Sequence, residues 1–298
     1  MNRGGAEFSR MTGEGNPRDI KVLMYHRVVD SVEEHMAQSD LCIHTDAMRQ
    51  HFVLLERWGF TAITFEDFRL FQKGELNLPK KPVIITFDDG YVDTYELAFP
   101  LLQEFGMKAV VFVLGDRQIR SNTWDKLPAV HGEHLMTDEQ VIELHSEGFE
   151  IGSHTMTHAK LPLLSHDEAW DEISRSRMRL EILLNAPVQT FAFPYGYLND
   201  QLKQMLRDAG YTIGCATHTG PPAFGNDLFE IRRILMPPDT DYLGLAMRLL
   251  APYEYYAWMR SQLKHVILGK DFNPCDDDVQ QSSILRRFLR QKRTDGQK

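Results

Sequence analysis

The chain alternates short apolar runs with amphipathic helical patterns, and this alternation is what most constrains its fold. Runs such as Val-Ile-Ile-Thr-Phe at 83–87 carry no charge, so a strand there would be buried on both faces. Between the runs lie segments such as 45–58, where apolar residues recur at steps of three and four. Strands buried on both faces and separated by helices pair in parallel, with helices covering the sheet. The pattern therefore predicts an α/β fold, a distorted (β/α) barrel of about seven parallel strands.

The order of the predicted elements defines three regions. We expect a disordered lead-in at 1–19, a barrel domain at 20–240 and a helical extension with a basic tail at 241–298. The predicted strands are 20–28, 61–64, 83–87, 107–115, 149–155, 188–196, 211–218 and 229–236. The predicted helices are 45–58, one that starts at 66, 92–105, 137–147, 166–184 and 199–209.

The composition is that of a globular protein and argues against several functions. Of the 298 residues, 43% are hydrophobic and 25% are charged. The net charge of -9 argues against a general nucleic-acid binder, because phosphate contacts need a basic face. No apolar run approaches the ~18 residues that cross a bilayer. The N-terminus lacks the apolar core of a secretory signal, so we expect a cytoplasmic protein. Cys42, Cys215 and Cys275 are scattered and predict neither a disulfide framework nor a thiolate metal site.

The C-terminal tail contains a short basic amphipathic pattern at 282–293. Four apolar residues lie on one side of this predicted helix: Ile284, Leu285, Phe288 and Leu289. Two interpretations stay open. The helix either makes weak contact with a membrane surface or is a solvated terminal helix.

Two adjacent carboxylates, Asp88 and Asp89, follow directly after the apolar run at 83–87. An Asp-Gly turn or a helix cap is one explanation for them. His154 and His158 follow another predicted strand, and functional groups of parallel barrels collect where strands end. Two imidazoles and one carboxylate suit a divalent metal such as zinc and leave a position for water, whereas two surface histidines are the alternative. A cation would also offset the repulsion between the two carboxylates, so the sequence predicts a metal site.

Three motifs occur in a fixed order and carry a family resemblance: TFDDG at 86–90, SHTMTH at 153–158 and FAFPYG at 191–196. In this order they are similar to the motifs of the polysaccharide deacetylase family, the NodB-homology domain of carbohydrate esterase family four. LMYHRV at 23–28 and SNTWD at 121–125 also resemble longer bacterial members. The resemblance covers roughly residues 20 to 240. It implies a distorted barrel that hydrolyses N-acetyl or O-acetyl groups on sugars with one bound divalent metal ion.

The resemblance also implies a role for four side chains. Asp88 matches the general base, while Asp89, His154 and His158 match the metal ligands. Zinc is the expected ion. Metal binding can lower the pKa of a water molecule to about 7, so a modest base suffices to take its proton.

Three further residues are candidates for contact with the substrate. A backbone N–H near Tyr195, which follows Pro194, would stabilise the developing oxyanion. Tyr195 is equally explained as an aromatic residue that fills the mouth of the barrel. Trp124, beside Asp125 in a polar loop, could stack on a sugar ring, although large aromatics at such positions often pack in the core or rim.

The sequence departs from the family pattern at two positions. The family carries an Arg, which tethers the base, where this chain has Ala192. Arg27 or Arg233 could substitute for it, and a surface or structural ion pair is the alternative for each. The family's general acid is a His on a late strand, where this chain has Met236. Barrel closure brings the first strand beside the last, so we expect His26, at the end of the first strand, to act as the general acid. A buried structural histidine is the alternative interpretation of His26. His218 is the second candidate for the general acid.

The sequence therefore predicts a metal-dependent deacetylase that acts on N-acetylated amino sugars of a glycan or glycan precursor. A catalytically silent glycan-binding module is one alternative, motivated by Ala192 and Met236. Another metal-dependent hydrolase, such as a phosphoesterase, is a second alternative, but two-metal sites need further bridging ligands that the sequence does not show in register.

Overall fold

The computed structural model describes residues 15–31, 39–238 and 240–250, together with Tyr255 and Met259. The chain divides into two compact units, 1–258 and 259–298. The predicted basic helix at 282–293 and most of the predicted lead-in lie outside the described residues. Within that lead-in, Pro17–Asp19 form a 3-10 helix.

The described residues form ten strands and seven α-helices, all in the first unit. The strands are β1 Lys21–Tyr25, β2 Arg27–Val29, β3 Cys42–His44, β4 Thr61–Ile63, β5 Pro82–Phe87, β6 Val110–Val113, β7 Glu150–Ser153, β8 Thr190–Ala192, β9 Ile213–Cys215 and β10 Ile234–Leu235. The helices are α1 Thr45–Arg57, α2 Phe65–Lys73, α3 Phe99–Glu104, α4 Asp138–Ser146, α5 His166–Leu184, α6 Asp200–Asp208 and α7 Tyr242–Leu250.

The main sheet is parallel and curls into a barrel-like shape. Its seven-strand path runs β10-β1-β5-β6-β7-β8-β9, and β4 pairs with β5 beside this path. The first and last strands are neighbours, since Leu23 pairs with Ile234 and Met24 with Leu235. A parallel bridge between Cys215 and Ile231 joins β9 to the segment that leads into β10. The predicted distorted (β/α) barrel of about seven parallel strands is confirmed.

The structure differs from the predicted elements at several places: β3 was not predicted, and most strands are shorter than predicted. The predicted first strand breaks at His26, because the Arg27 N–H donates to the Leu41 carbonyl and β2 pairs with β3 in a separate small sheet. The predicted strand at 229–236 is reduced to β10. The predicted helix at 92–105 begins with a π-helical turn, Thr94–Ala98, before α3.

Side chains of the sheet alternate between two hydrophobic clusters. The cluster between the sheet and the outer helices takes Val83, Ile85 and Phe87 of β5. The second cluster takes the intervening Ile84 and inward residues of the other strands: Val22, Ile63, Val110, Phe112, Ala192 and Ile213. Three aromatic residues of α2 belong to this inner cluster as well: Phe65, Phe68 and Phe71. Complete burial of each such ring contributes about 1.5–3 kcal/mol, so α2 is held firmly across the barrel.

Helix α5 is delimited at both ends by local hydrogen bonding and backbone geometry. At its start, the Ser165 side chain accepts from the Glu168 N–H while the Glu168 carboxylate accepts from the Ser165 N–H, a capping box. At its end, Asn185 adopts a left-handed conformation with φ of 48°, which suits Asn better than most residues. Ile173 and Leu180 are buried on the inner face of α5, and this packing fixes the helix against the barrel.

Helix α7 lies within the region predicted as a C-terminal extension, yet it packs on the barrel. Leu245 and Leu249 are buried and belong to the outer cluster. Among the described residues, no helix is both long and apolar enough to cross a membrane.

Candidate active site

Four titratable side chains meet at the carboxyl-terminal edge of the sheet. Asp88 and Asp89 follow β5, His154 follows β7, and His158 lies one turn beyond. Their exposed fractions are 2%, 3%, 2% and 6%. Because the strands are parallel, residues that follow them directly lie at the same edge, as the sequence predicted.

The side chains of Asp89, His154 and His158 converge on a common point. The Oδ1 atom of Asp89 lies 3.3 Å from Nε2 of His154 and 3.2 Å from Nε2 of His158. One ligand atom from each residue lies within 4.8 Å of the other two, so the group could hold a metal ion.

The hydrogen bonds around this group favour a cation at its centre. His154 Nδ1 donates to the Ala192 carbonyl at 2.8 Å, so in a neutral ring the Nε2 lone pair faces Asp89. Burial lowers the pKa of His158, which favours its neutral ring, whereas for His154 the effect of burial is outweighed by the hydrogen bond to Asp89 and the charges of Asp88 and Asp89, which raise the pKa. Asp89 Oδ1 is buried and has no hydrogen-bond partner in the described part of the chain. Lone pairs directed at one carboxylate oxygen repel each other unless a cation lies between them, so the donor set fits a divalent metal.

Backbone strain is concentrated at the same edge. Of the described non-glycine residues, only Asp89, Thr155, His158, Asn185 and Tyr195 have positive φ, and all except Asn185 lie in these loops. Left-handed conformations cost on the order of 1–3 kcal/mol for non-glycine residues and persist where surrounding contacts enforce them. The fold therefore maintains an unfavourable backbone to aim these side chains.

Asp88 is held by Arg233. Nη1 and Nη2 of Arg233 donate to the two carboxylate oxygens at 2.6 and 2.7 Å, and its Nε donates to the Ala216 carbonyl at 2.7 Å. Burial alone would raise the pKa of Asp88, but the charge and hydrogen bonds of Arg233 outweigh burial and hold this pKa below its ordinary value. Arg233 thus occupies the tethering position that Ala192 leaves open.

The prediction that Arg27 could tether Asp88 was wrong. Arg27 Nε donates to Asp93 at 2.8 Å and its Nη1 lies 2.9 Å from Glu133. Its backbone belongs to β2, which pairs with β3 outside the main sheet. The guanidinium therefore joins the start of the π-helical turn to the loop around Glu133 and does not bind Asp88.

His26 lies where barrel closure was expected to place it. It follows β1, whose neighbour is β10, and the Met236 N–H donates to the Met24 carbonyl at 3.1 Å. His26 Nε2 is 3.9 Å from Asp88 Oδ2, and its side chain is 14% exposed. The reserve candidate, His218, follows β9, is exposed, and has its Nδ1 atom 3.1 Å from Thr217 Oγ1.

Two aromatic side chains enclose His158. The Trp124 ring stacks on the imidazole with centroids 4.6 Å apart, and the Tyr195 ring meets it edge-on at 4.8 Å. Tyr195 follows Pro194 and has a φ of 61°. Burial, with Asp125 nearby, raises the pKa of Tyr195, so its hydroxyl is protonated at neutral pH. Trp124 and Tyr195 therefore form a wall beside the three-residue group, as well as packing at the mouth of the barrel.

Two groups at the site were missed by the predictions from sequence. The Ala192 position lacks the family's Arg side chain, yet its carbonyl orients His154. Glu172 of α5 accepts hydrogen bonds from the turn that carries both histidines. A backbone acceptor has no signature in the sequence, and Glu172 belongs to no recognisable motif, so neither could have been found without the structure.

The fold and this site together define a class: an α/β barrel with a buried Asp-His-His group and an adjacent Arg-held carboxylate. Residues 75–214 match the sequence profile of the family described as "Polysaccharide deacetylase". These residues carry the match to the polysaccharide deacetylase family, and the sheet has the NodB-type barrel fold of such deacetylases. It is accordingly a carbohydrate deacetylase, a hydrolase.

The chain is also similar to several named proteins and solved structures. The chain is 25% identical over 222 residues to "Putative polysaccharide deacetylase YxkH" of Bacillus subtilis, which covers 74% of this chain and 73% of that protein. It is 28% identical over 267 residues to the poly-beta-1,6-N-acetyl-D-glucosamine N-deacetylase of Escherichia coli, covering 78% of this chain but only 38% of that protein. Among solved structures, the Streptococcus pyogenes deacetylase PplD in complex with acetate superposes with a TM-score of 0.66 at 27% identity, covering 77% of this chain and 97% of PplD.

Proposed function

We propose that this protein removes acetyl groups from N-acetylated amino sugars of a glycan, with a bound divalent metal ion. The observation that carries the proposal is the convergence of Asp89, His154 and His158 beside the Arg-held carboxylate of Asp88. The name of the Escherichia coli relative, a poly-beta-1,6-N-acetyl-D-glucosamine N-deacetylase, supports the substrate class, although the chain spans only 38% of that protein's length.

Asp89, His154 and His158 would hold the ion, and one carboxylate with two imidazoles is a donor set that suits zinc. A zinc ion, if bound there, would supply Lewis-acid chemistry, since it would lower the pKa of a water molecule to about 7 and polarise the substrate carbonyl. The burial of all three ligands excludes bulk water and strengthens the electrostatic interactions inside the site.

Asp88 acts as the general base. Arg233 keeps this carboxylate ionised and fixes both oxygens, so a lone pair of Asp88 can take a proton from the attacking water. A low pKa makes a carboxylate a weak base, but a water molecule that is already activated needs only a weak base. Arg233 therefore lowers the basicity of Asp88, but it orients the carboxylate and keeps it ionised throughout the range near neutral pH.

His26 acts as the general acid. Cleavage of an amide expels an amine, which must be protonated because an amide anion leaves very poorly. His26 lies 3.9 Å from Asp88 and is only slightly exposed, so the imidazole borders the site from the side of β1. Its Nδ1 atom is buried and has no hydrogen-bond partner in the described part of the chain, so Nε2, which faces Asp88, is the nitrogen that we expect to deliver the proton.

The loop after β8 and the loop that carries Trp124 bind the substrate. Pro194 and the left-handed Tyr195 turn the chain sharply after β8, which leaves the Tyr195 N–H to stabilise the developing oxyanion. The Trp124 ring and the Tyr195 ring, both packed on His158, offer apolar surface to the sugar or to the acetyl methyl group.

The test is metal content and acetate release, measured on the same preparations. Wild-type protein should bind one zinc ion and release acetate from β-1,6-linked N-acetylglucosamine oligomers. His154→Ala should lose both properties. The matched control is His166→Ala, since the His166 side chain is 64% exposed, and this variant should keep both.

Full zinc occupancy in His154→Ala would refute the ligand assignment. Binding of the oligomer without acetate release by the zinc-loaded wild type would instead favour a glycan-binding module. Release of phosphate from a phosphate ester, with no acetate release, would favour a phosphoesterase.

A further inference from the structure

The two histidines of the site are carried by a short turn, His154 to His158, that is strained at both ends. Thr155 and His158 have φ values of 66° and 64°. One internal hydrogen bond supports the turn, from the His158 N–H to Thr155 Oγ1 at 2.9 Å. The loop after β6 supports its outer side, because Gly115 and Asp116 donate to the carbonyls of Thr155 and Met156.

The remaining support comes from Glu172 in the second turn of α5. Its Oε2 accepts from the Met156 N–H at 2.8 Å and from the Thr157 N–H at 3.0 Å, and its Oε1 accepts from Thr157 Oγ1 at 2.7 Å. Glu172 is half-buried and lies one residue before the buried Ile173, which anchors α5 to the barrel. The carboxylate thus ties the middle of the turn to a rigid helix by three hydrogen bonds.

His158 depends on this support more than His154 does. His154 is oriented by the Ala192 carbonyl through its Nδ1 atom. The Nδ1 atom of His158 has no hydrogen-bond partner in the described part of the chain. Ring contacts with Trp124 and Tyr195 restrict the His158 ring, but the position of its Nε2 atom relative to Asp89 is set by the backbone of the turn.

We propose that Glu172 is a positioning residue for the metal site, acting through the backbone of the turn and chiefly on His158. This inference rests on the proposed metal-binding function of Asp89, His154 and His158. When a residue that orients a metal ligand without binding the metal itself is removed, the metal affinity typically falls by roughly 10–100-fold. Glu172 has this effect without contacting either imidazole, by holding the turn in the conformation in which His158 Nε2 faces Asp89.

The experiment measures the zinc dissociation constant by competition with a chelating dye, with zinc as the only ligand added. Glu172→Ala should raise this constant roughly 10–100-fold. Glu172→Gln should stay within about threefold of wild type, because the amide oxygen can accept from both N–H groups and the amide nitrogen can donate to Thr157 Oγ1. Thr157→Val, which removes only the hydroxyl contact, should fall between these two variants.

Asp171→Ala is the matched control. Asp171 is the residue before Glu172 on α5, is 62% exposed and pairs with Arg175 of its own helix. Removal of this charge should leave the zinc dissociation constant unchanged. Urea unfolding of the metal-free proteins completes the comparison, and the unfolding midpoint of metal-free Glu172→Ala should lie close to that of wild type.

If Glu172 contributed only to global stability, metal-free Glu172→Ala would have a lower unfolding midpoint, but its zinc dissociation constant would equal that of wild type. That result would overturn the inference, as would equal weakening of zinc binding by Asp171→Ala. Failure of the wild-type protein to bind zinc would refute the proposed function itself, which is a separate outcome.

Discussion

Replacement of Arg233 by Met should lower the free energy of unfolding by several kcal/mol, because it leaves the carboxylate of Asp88 buried without its ion-pair partner. The Arg233 and Asp88 side chains are 0% and 3% exposed, and two hydrogen bonds of 2.6 and 2.7 Å join them. Removal of one partner of a buried ion pair costs about 3–5 kcal/mol. The cost has an upper bound, since Asp88 could take up a proton instead. For a carboxyl group of ordinary pKa 3.8, protonation at pH 7 costs about 4 kcal/mol.

The pH dependence of the variant depends on the same carboxyl group. In the wild type the folded-state pKa of Asp88 is lowered, so its stabilising contribution is complete above the ordinary pKa and is lost only as the pH falls through the lowered value. In Arg233→Met the opposing effects of Arg233 are removed, so burial, the largest influence, raises the folded-state pKa of Asp88 against the smaller lowering effects of His154 and His26. The stability deficit of the variant should therefore shrink between pH 7 and pH 5, by at most about 1.4 kcal/mol per pH unit.

Urea unfolding of metal-free wild type and Arg233→Met at several pH values measures the difference in their free energy of unfolding. Arg49→Met is the control, because Arg49 makes a two-point contact with Glu104 at the surface, where both side chains are about half exposed. Exposed pairs contribute about 0–1 kcal/mol, so this variant should unfold close to wild type. A deficit below about 1 kcal/mol for Arg233→Met, or one that does not change with pH, would contradict a buried ion pair between Arg233 and Asp88.

Three further substitutions test roles at the site. Asp88→Asn should keep zinc binding and lose roughly 10²–10⁴ in the rate of acetate release, and near-normal release would make Asp88 a structural residue. His26→Ala should deacetylate an N-acetyl substrate far more slowly and an O-acetyl ester less so, since an alkoxide leaves more readily than an amide anion. Equal losses on both substrates would argue against an acid role for His26. Trp124→Ala should raise KM for an oligomer by roughly 2–10-fold with a smaller change in kcat, given ~0.5–1.5 kcal/mol for an aromatic contact, and an unchanged KM would assign Trp124 to packing.

The barrel and the three-residue group could be predicted from the sequence because both depend on local patterns. A strand buried on both faces needs apolar residues along its whole length, and this is readable in any short window. Asp88 and Asp89 are adjacent, and His154 and His158 are one turn apart, so each pair is a local motif at the end of such a strand. Parallel pairing then brings the strand ends to one edge, and the two motifs meet without further information.

The limits of the elements were less predictable. The apolar pattern of the first strand continues past His26, but pairing changes there from the main sheet to β3. Helix α7 follows the predicted boundary of the barrel, but its buried leucines join the barrel core. Pairing partners and packing neighbours decide such limits, and neither is encoded in a local window.

Only the tertiary structure decided how Asp88 is held. Asp88 and Arg233 are 145 residues apart, and their contact exists because β10 closes the sheet beside β1. The sequence made Arg27 and Arg233 equal candidates for binding Asp88, since a guanidinium carries the same charge wherever it lies. The two residues differ only in where the folded chain places them. The chain turns Arg27 into a separate sheet, whereas the closing segment carries Arg233 to the carboxylate, and a hydrogen bond depends on separations of a few tenths of an ångström that only the folded chain sets.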